Sequence, residues 1–137
     1  SSNISGELEN VSTFKTIITQ LRTVKKGETV GYSRKGIVKK DSKIATISLG
    51  YADGFSRAFS NGNGKVMING SSAKVIGNVC MDMTMVDVTS LDVKEGDEVI
   101  VFGRELPIEE VAASINTIPY EILTNVSERV KRVYFSS

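Results

Sequence analysis

The sequence predicts a single, mainly β domain: a closed or partly open, Greek-key-like β-barrel with one or two short helices near its C-terminus. Two observations carry this prediction. Apolar and β-branched residues alternate with polar residues in several short segments, and glycine-containing turns separate these segments. Helical spacing replaces the alternation only after Gly103. A chain of 137 residues fits one domain, 1–137, and is long enough to bury a core.

The strands are predicted from alternation between turn signals. The first, Thr13–Val24, places Phe14, Thr16 and Ile18 on one face. Asn69-Gly70 marks a hairpin between two short strands, because both residue types tolerate positive φ. The remaining predicted strands are Lys43–Gly50, Met81–Val88, the segment after the Gly96 turn and Arg132–Phe135. Met81, Met83 and Met85 share one face of their segment, where core packing is the default interpretation.

The helical pattern lies near the C-terminus. Its apolar residues follow the i, i+3, i+4, i+7 spacing of an amphipathic helix: Ile108, Val111, Ala112 and Ile115. Pro107 suits the first turn of that helix, and Pro119 ends or restarts it.

Composition excludes several classes of function. The chain has 17 basic and 16 acidic residues and a net charge of +1, so no global electrostatic attraction to nucleic acid or a membrane surface is expected. No apolar run approaches the roughly 20 residues that span a bilayer. The single cysteine, Cys80, cannot form an internal disulfide, which suits a cytoplasmic setting.

Few residues indicate a specific chemistry. The chain has no histidine, so a zinc site and a catalytic triad are poorly supported. The GNGK segment 62–65 lacks P-loop spacing and is interpreted as a plain turn. Tyr32 and Tyr51 each follow a glycine, and sequence physics alone favours packing over catalysis for both rings. The two glycines of GYADG, 50–54, let the backbone approach a ligand closely, so this turn is a candidate binding edge.

Five motifs together resemble the C-terminal domain of alanine racemase. They are VGY at 30–32, ATISLGYADG at 45–54, VIGNVCMDMTMVDV at 75–88, GDEVIVFG at 96–103 and YEILTNVSERVKRVY at 120–134. The resemblance implies a pyridoxal 5'-phosphate-dependent enzyme that interconverts L- and D-alanine for bacterial cell-wall synthesis. It also implies that an N-terminal α/β barrel, absent from this chain, carries the cofactor lysine. This domain alone is then expected to bind no cofactor and to be inactive.

The resemblance also assigns roles to individual residues. Tyr32 matches a catalytic base that acts on the face of the substrate opposite the cofactor lysine. An unperturbed tyrosine has a pKa of about 10, so such a base needs tuning by its surroundings. Tyr51 matches a tyrosine that narrows the substrate entryway, and Asp82 matches an entryway carboxylate. Met81 matches a residue whose backbone N–H holds the substrate carboxylate. These groups are expected to act across a homodimer interface, opposite the barrel of the second subunit.

Several positions depart from the family pattern. Asn78 stands where many members have arginine, and Glu128 stands where some have a tyrosine that reaches the cofactor phosphate. Lys131 replaces a usual proline, and Ser33 replaces a common glycine. A divergent branch accounts for such departures, for example a racemase fused to another cell-wall enzyme.

Two alternatives stay open at the level of sequence. One is a non-catalytic β-barrel module for ligand binding or oligomer assembly that retains the motifs without the chemistry. The other is a racemase for a different amino acid such as serine, because the other wall of the substrate pocket lies outside this chain.

Overall fold

The computed structural model describes residues 13–30, 36–37, 40–129 and 135–136. The strands in this part of the chain are β1 (Thr13–Val24), β2 (Thr29–Val30), β3 (Gly36–Ile37), β4 (Ser42–Ile47), β5 (Lys65–Ile68), β6 (Ser71–Lys74), β7 (Thr84–Asp87), β8 (Glu98–Phe102) and β9 (Phe135–Ser136). The helices are α1 (Ile108–Ala113) and α2 (Pro119–Arg129), with short 3-10 turns at Tyr51–Asp53 and Arg57–Phe59.

One antiparallel sheet dominates the fold. Its strand order is β6-β5-β8-β1-β4-β7, with β9 pairing beside β1, while β2 and β3 form a separate pair. Among the described residues, the two outer strands are joined by one isolated bridge, between Val75 and Val86. The sheet is therefore not closed. Of the two predicted alternatives, a closed or a partly open barrel, the structure has the partly open one. The mainly β class with short helices near the C-terminus is confirmed.

The long strand β1 joins the two halves of the sheet. Its first half pairs with β8, and its second half pairs with β4. Phe14, Thr16 and Ile18 share one face, as predicted, and that face is buried, while Ile17 between them is 46% exposed. Alternation with a period of two puts one face of the strand in the core and the other in solvent. The predicted bounds of β1 are confirmed.

The predicted hairpin is also confirmed. Ile68 of β5 pairs with Ser71 of β6, so Asn69 and Gly70 form a two-residue turn. Their φ values are 51° and 82°. Positive φ at both positions produces the turn twist that matches the twist of the flanking strands.

The helical pattern packs against the sheet. Ile108, Val111 and Ala112 of α1 are buried in the main core, and Ile115 packs against it from beyond the helix end. Pro119 begins α2, so it restarts the helical structure. In the core itself, the rings of Phe14 and Phe102 lie 5.4 Å apart. Within the described ranges, no helix is long and apolar enough to cross a bilayer.

One strand prediction needs correction, and another lies mostly outside the described residues. The strand predicted at Met81–Val88 covers only Thr84–Asp87. Met81 and Met83 are 55% and 38% exposed, whereas Met85 is buried, so the core interpretation of the methionine stripe is wrong for the first two. The reason is that the carbonyls of Cys80 and Met81 bond to a turn, at Tyr51 and Ala52, instead of to a neighbouring strand. Of the predicted strand Arg132–Phe135, only Phe135 lies within the described residues, where it begins β9.

Candidate functional site

The GYADG segment forms a compact elbow directly after β4. Tyr51–Asp53 is a 3-10 turn, and the Gly54 N–H donates a 3.1 Å hydrogen bond to the Tyr51 carbonyl. The Asp53 carboxylate accepts a 3.0 Å hydrogen bond from the Gly50 N–H and so fixes the start of the turn. Gly54 ends the turn at φ 93°, a conformation that glycine adopts without strain.

The elbow is bound to the CMD segment, 80–82, by its backbone. The Tyr51 N–H donates to the Cys80 carbonyl and the Ala52 N–H donates to the Met81 carbonyl, both at 2.9 Å. A Cβ atom at Gly50 would lie 2.3 Å from the Cys80 carbonyl oxygen. Only glycine therefore permits this approach, and two of the five motifs that carried the family resemblance are in direct contact.

The other side of the elbow meets α2. A Cβ atom at Gly54 would lie 2.5 Å from the Asn125 carbonyl oxygen and 2.9 Å from the Val126 Cα. The two glycines thus allow the elbow to sit between the CMD segment and the last helix. This packing holds Tyr51 at the surface, where its side chain is 42% exposed.

An open groove of about 590 Å³ lies beside the elbow. Its lining residues are Tyr51, Arg57, Asn78, Val79, Cys80, Met81, Asp82 and Met83. The structure therefore brings together three predicted site residues, Tyr51, Met81 and Asp82. Asn78, singled out as a departure from the family pattern, lines the same groove.

Met81 presents a main-chain donor in this groove. Its carbonyl accepts the hydrogen bond from Ala52, but its N–H has no acceptor among the described residues. The hydrogen bond to Ala52 fixes the backbone at Met81, so the Met81 N–H is a preorganised donor for an anion such as a carboxylate. Arg57 and Asp82 give the groove one charge of each sign.

Arg57 is a site residue that the sequence reasoning missed. Its guanidinium carbon lies 5.6 Å from the centre of the Tyr51 ring, within the range of a cation–π contact. The one indication of this contact in the sequence is that Arg57 follows GYADG by only three residues. A second 3-10 turn, Arg57–Phe59, begins there and places Arg57 beside Tyr51.

Asn61 was also missed. Its side-chain Nδ2 donates a 3.1 Å hydrogen bond to the Oδ1 of Asn78 at the groove. The segment NGNG, 61–64, indicates by its sequence only a tight turn or flexible loop, and no local pattern indicates a contact with a residue 17 positions away.

The remaining predicted positions are not brought together here. Tyr32, the predicted base, lies outside the described residues, as do Ser33 and Lys131. Glu128 belongs to α2. Among the described residues, no cluster of three or more His, Cys, Asp and Glu side chains could hold a metal ion.

Comparison with known proteins identifies the family of this chain. The family model for the alanine racemase C-terminal domain matches residues 11–134. The chain belongs to the alanine racemase C-terminal domain family. Its residues 11–134 include the elbow, the CMD segment and α2, so the groove is built from parts that all lie within the family match.

Individual alanine racemases are similar over nearly the whole chain. That of Alteromonas mediterranea is 45% identical over 132 residues, which cover 96% of this chain and 37% of the relative. That of Helicobacter pylori is 44% identical and covers 93% of this chain and 34% of the relative. The chain therefore spans about a third of the length of these relatives.

Solved alanine racemases share the fold. The biosynthetic enzyme of Pseudomonas aeruginosa superposes with a TM-score of 0.81 at 37% identity, over 86% of this chain and 33% of that chain. The enzyme of Bartonella henselae, solved with covalently bound pyridoxal phosphate, gives a TM-score of 0.80 at 41% identity, over 85% of this chain and 33% of that chain.

Proposed function

We propose that this chain is the C-terminal part of a pyridoxal-phosphate-dependent alanine racemase, which interconverts L- and D-alanine and is inactive without its N-terminal α/β barrel. The observation that carries the proposal is the groove in which Tyr51, Met81 and Asp82 meet. Two distant motifs, GYADG and CMD, build that groove by direct backbone contact in a chain of this family.

Met81 is proposed to bind the carboxylate of the substrate. Its N–H has no acceptor among the described residues, while its carbonyl is held by Ala52. A main-chain donor suits this task because it does not titrate and cannot rotate away from the anion. It therefore orients the amino acid by its carboxylate and leaves the α-carbon free for proton transfer.

Tyr51, Arg57 and Asp82 are proposed to form one wall of the substrate entryway. Arg57 restricts the Tyr51 ring through their 5.6 Å contact. A ring held in this way narrows the channel and limits the size of side chain that can pass. The opposite charges of Arg57 and Asp82 suit a zwitterionic amino acid, whose carboxylate and ammonium group each find a partner along the path.

The cofactor is proposed to be held by the barrel. The residues that line the groove include no lysine, so they suit a substrate-facing wall and not the attachment point of pyridoxal phosphate. When bound, pyridoxal phosphate supplies the electron sink that stabilises the charge left by removal of the α-proton. Tyr32 is proposed to take or return that proton on one face of the substrate, with the barrel lysine acting on the other.

A homodimer is proposed because the groove exposes apolar surface. Met81, Tyr51 and Met83 are 55%, 42% and 38% exposed and line the same groove. Clustered apolar side chains of this kind mark surfaces that another protein surface covers. We propose that the barrel of a second subunit covers this surface.

The D-alanine that the complete enzyme produces is proposed to serve bacterial cell-wall synthesis.

The test is an assay of the complete gene product with each enantiomer of alanine and of serine, followed by chromatography that separates enantiomers. The proposal expects conversion of both alanine enantiomers in the presence of pyridoxal phosphate. Conversion of serine in preference to alanine would instead support the alternative substrate. Absence of racemisation with every substrate, together with retained oligomer assembly, would support the non-catalytic module.

A further inference from the structure

The segment 77–83 has no helix or strand of its own, yet it forms most of the groove. The elbow holds the middle of this segment, because the Tyr51 and Ala52 N–H groups donate hydrogen bonds to the carbonyls of residues 80 and 81. The first part of the segment, residues 77–79, is held by Ser60 and Asn61, two consecutive residues that follow the Arg57–Phe59 turn. We call this pair of residues the rim clamp.

Ser60 provides the buried half of the rim clamp. Its side-chain Oγ accepts a 2.8 Å hydrogen bond from the backbone N–H of Val79. Both residues are buried, with Ser60 8% and Val79 2% exposed. Water is therefore poorly placed to replace the serine oxygen, and loss of that oxygen would leave the Val79 N–H without an acceptor.

Asn61 provides the exposed half. Its backbone N–H donates to the Gly77 carbonyl at 2.8 Å, and its side chain donates to the Asn78 Oδ1 at 3.1 Å. Asn61 adopts φ 57°, in the left-handed region that asparagine tolerates. This conformation lets one residue reach two consecutive positions of the rim at once.

We propose that Ser60 and Asn61 are positioning residues that hold the groove in its substrate-binding geometry. The substrate-binding part of this inference rests on the proposed function. Val79 precedes Met81 by two residues, so the Ser60 contact fixes the backbone just before the Met81 N–H. The Asn61 contact fixes the side chain of Asn78 at the same rim. A displaced donor binds its ligand less well even when the chemical groups are unchanged.

Amide hydrogen exchange of the 137-residue chain, followed by NMR, tests the clamp itself. Ser60→Ala should speed exchange at Val79 and its neighbours by about tenfold, because one neutral hydrogen bond is lost from the closed state. Ser114→Ala is the matched control. Its hydroxyl donates a 2.6 Å hydrogen bond to the Val111 carbonyl at the end of α1, a bond that involves neither the rim clamp nor segment 77–83. The control should leave exchange at Val79 unchanged.

Asn61→Gly tests the second contact with a variant that keeps the backbone conformation. Glycine accepts positive φ and retains the N–H that bonds to Gly77, so only the side-chain contact with Asn78 is lost. Asn69→Gly is its control, since Asn69 also has positive φ, at 51°, and its side chain bonds to Asp97 in the hairpin region. Exchange in residues 77–83 should rise for Asn61→Gly and stay constant for Asn69→Gly.

Steady-state kinetics of the complete gene product test the role in binding. Ser60→Ala and Asn61→Gly should raise KM for alanine by about twofold to tenfold with kcat nearly constant, and Ser60→Thr should restore KM by restoring the acceptor. Faster exchange with unchanged KM, or unchanged exchange, would overturn the inference. If the wild-type protein racemises no amino acid, the proposed function fails and the binding role is overturned with it. The exchange measurement still decides whether the clamp exists.

Discussion

The backbone N–H of Tyr51 donates a 2.9 Å hydrogen bond to the carbonyl oxygen of Cys80. These residues are 29 positions apart in the sequence and belong to two of the five motifs that carried the family resemblance. The contact depends on Gly50, since a side chain there would collide with the CMD backbone. The geometry of the groove therefore rests on a position that contributes no side chain to it.

Gly50→Ala should destabilise the domain by about 3 kcal/mol, because the added methyl group meets fixed backbone atoms that cannot relax as a flexible side chain would. Chemical denaturation of the chain measures this free energy. Gly27→Ala is the control: a Cβ there has nothing within 4 Å, although φ is +90°. The control should cost about 1 kcal/mol from backbone strain alone. Equal losses at the two positions would mean that the elbow and the CMD segment do not pack as closely as described.

The 137-residue chain alone should neither retain pyridoxal phosphate nor racemise alanine. The groove offers no lysine to the cofactor, and the proposed attachment point lies in the barrel. The measurement is incubation with pyridoxal phosphate, dialysis and an absorbance spectrum, followed by an enantiomer assay. A stoichiometric cofactor band that survives dialysis would contradict the assignment of the cofactor to another domain.

Asn78→Arg in the complete gene product should change KM for alanine more than kcat. Asn78 lines the groove and contacts Asn61, so an arginine there adds charge and bulk to the proposed entryway and should leave the bond-breaking step untouched. Steady-state kinetics with both alanine enantiomers measure the effect. Equal changes in the two parameters would place Asn78 closer to the reacting atoms than the entryway.

Tyr32→Phe should lower the rate of racemisation by about 10²–10⁴-fold, the usual contribution of a general base. The α-proton of one enantiomer should cease to exchange with deuterium oxide, while the other enantiomer still exchanges through the barrel lysine. Mass spectrometry of each enantiomer after incubation measures this asymmetry.

Tyr51→Phe is the internal control for the Tyr32 experiment. It also removes one phenol hydroxyl but keeps the ring over which the Arg57 side chain lies. Both enantiomers should still exchange in this variant, with the effect confined to KM. Symmetric exchange at a near-normal rate in Tyr32→Phe would show that the Tyr32 hydroxyl serves packing and not catalysis.

Local patterns predicted most of the fold. The alternation in Thr13–Val24 set both the bounds and the buried face of β1, and Asn69-Gly70 set the hairpin turn. These features depend on neighbouring residues and on backbone preferences, which sequence records directly. The same reasoning failed for Met81 and Met83. The same period-2 apolar pattern occurs in a buried strand and in an extended segment that lines a groove. The two differ in whether the backbone hydrogen-bonds to a neighbouring strand or to a turn, which the sequence does not show.

The sequence by itself determined that this chain is mainly β and belongs to the alanine racemase C-terminal domain family, because ordered motifs and alternation are local properties of the chain. Only the tertiary structure decided that Arg57 lines the groove and that Asn61 contacts Asn78 at its rim. It also decided that the sheet is not closed, with its outer strands joined at the bridge between Val75 and Val86. The physical reason is that such contacts join residues far apart in the chain, and they form only after the sheet and the elbow have brought the residues together.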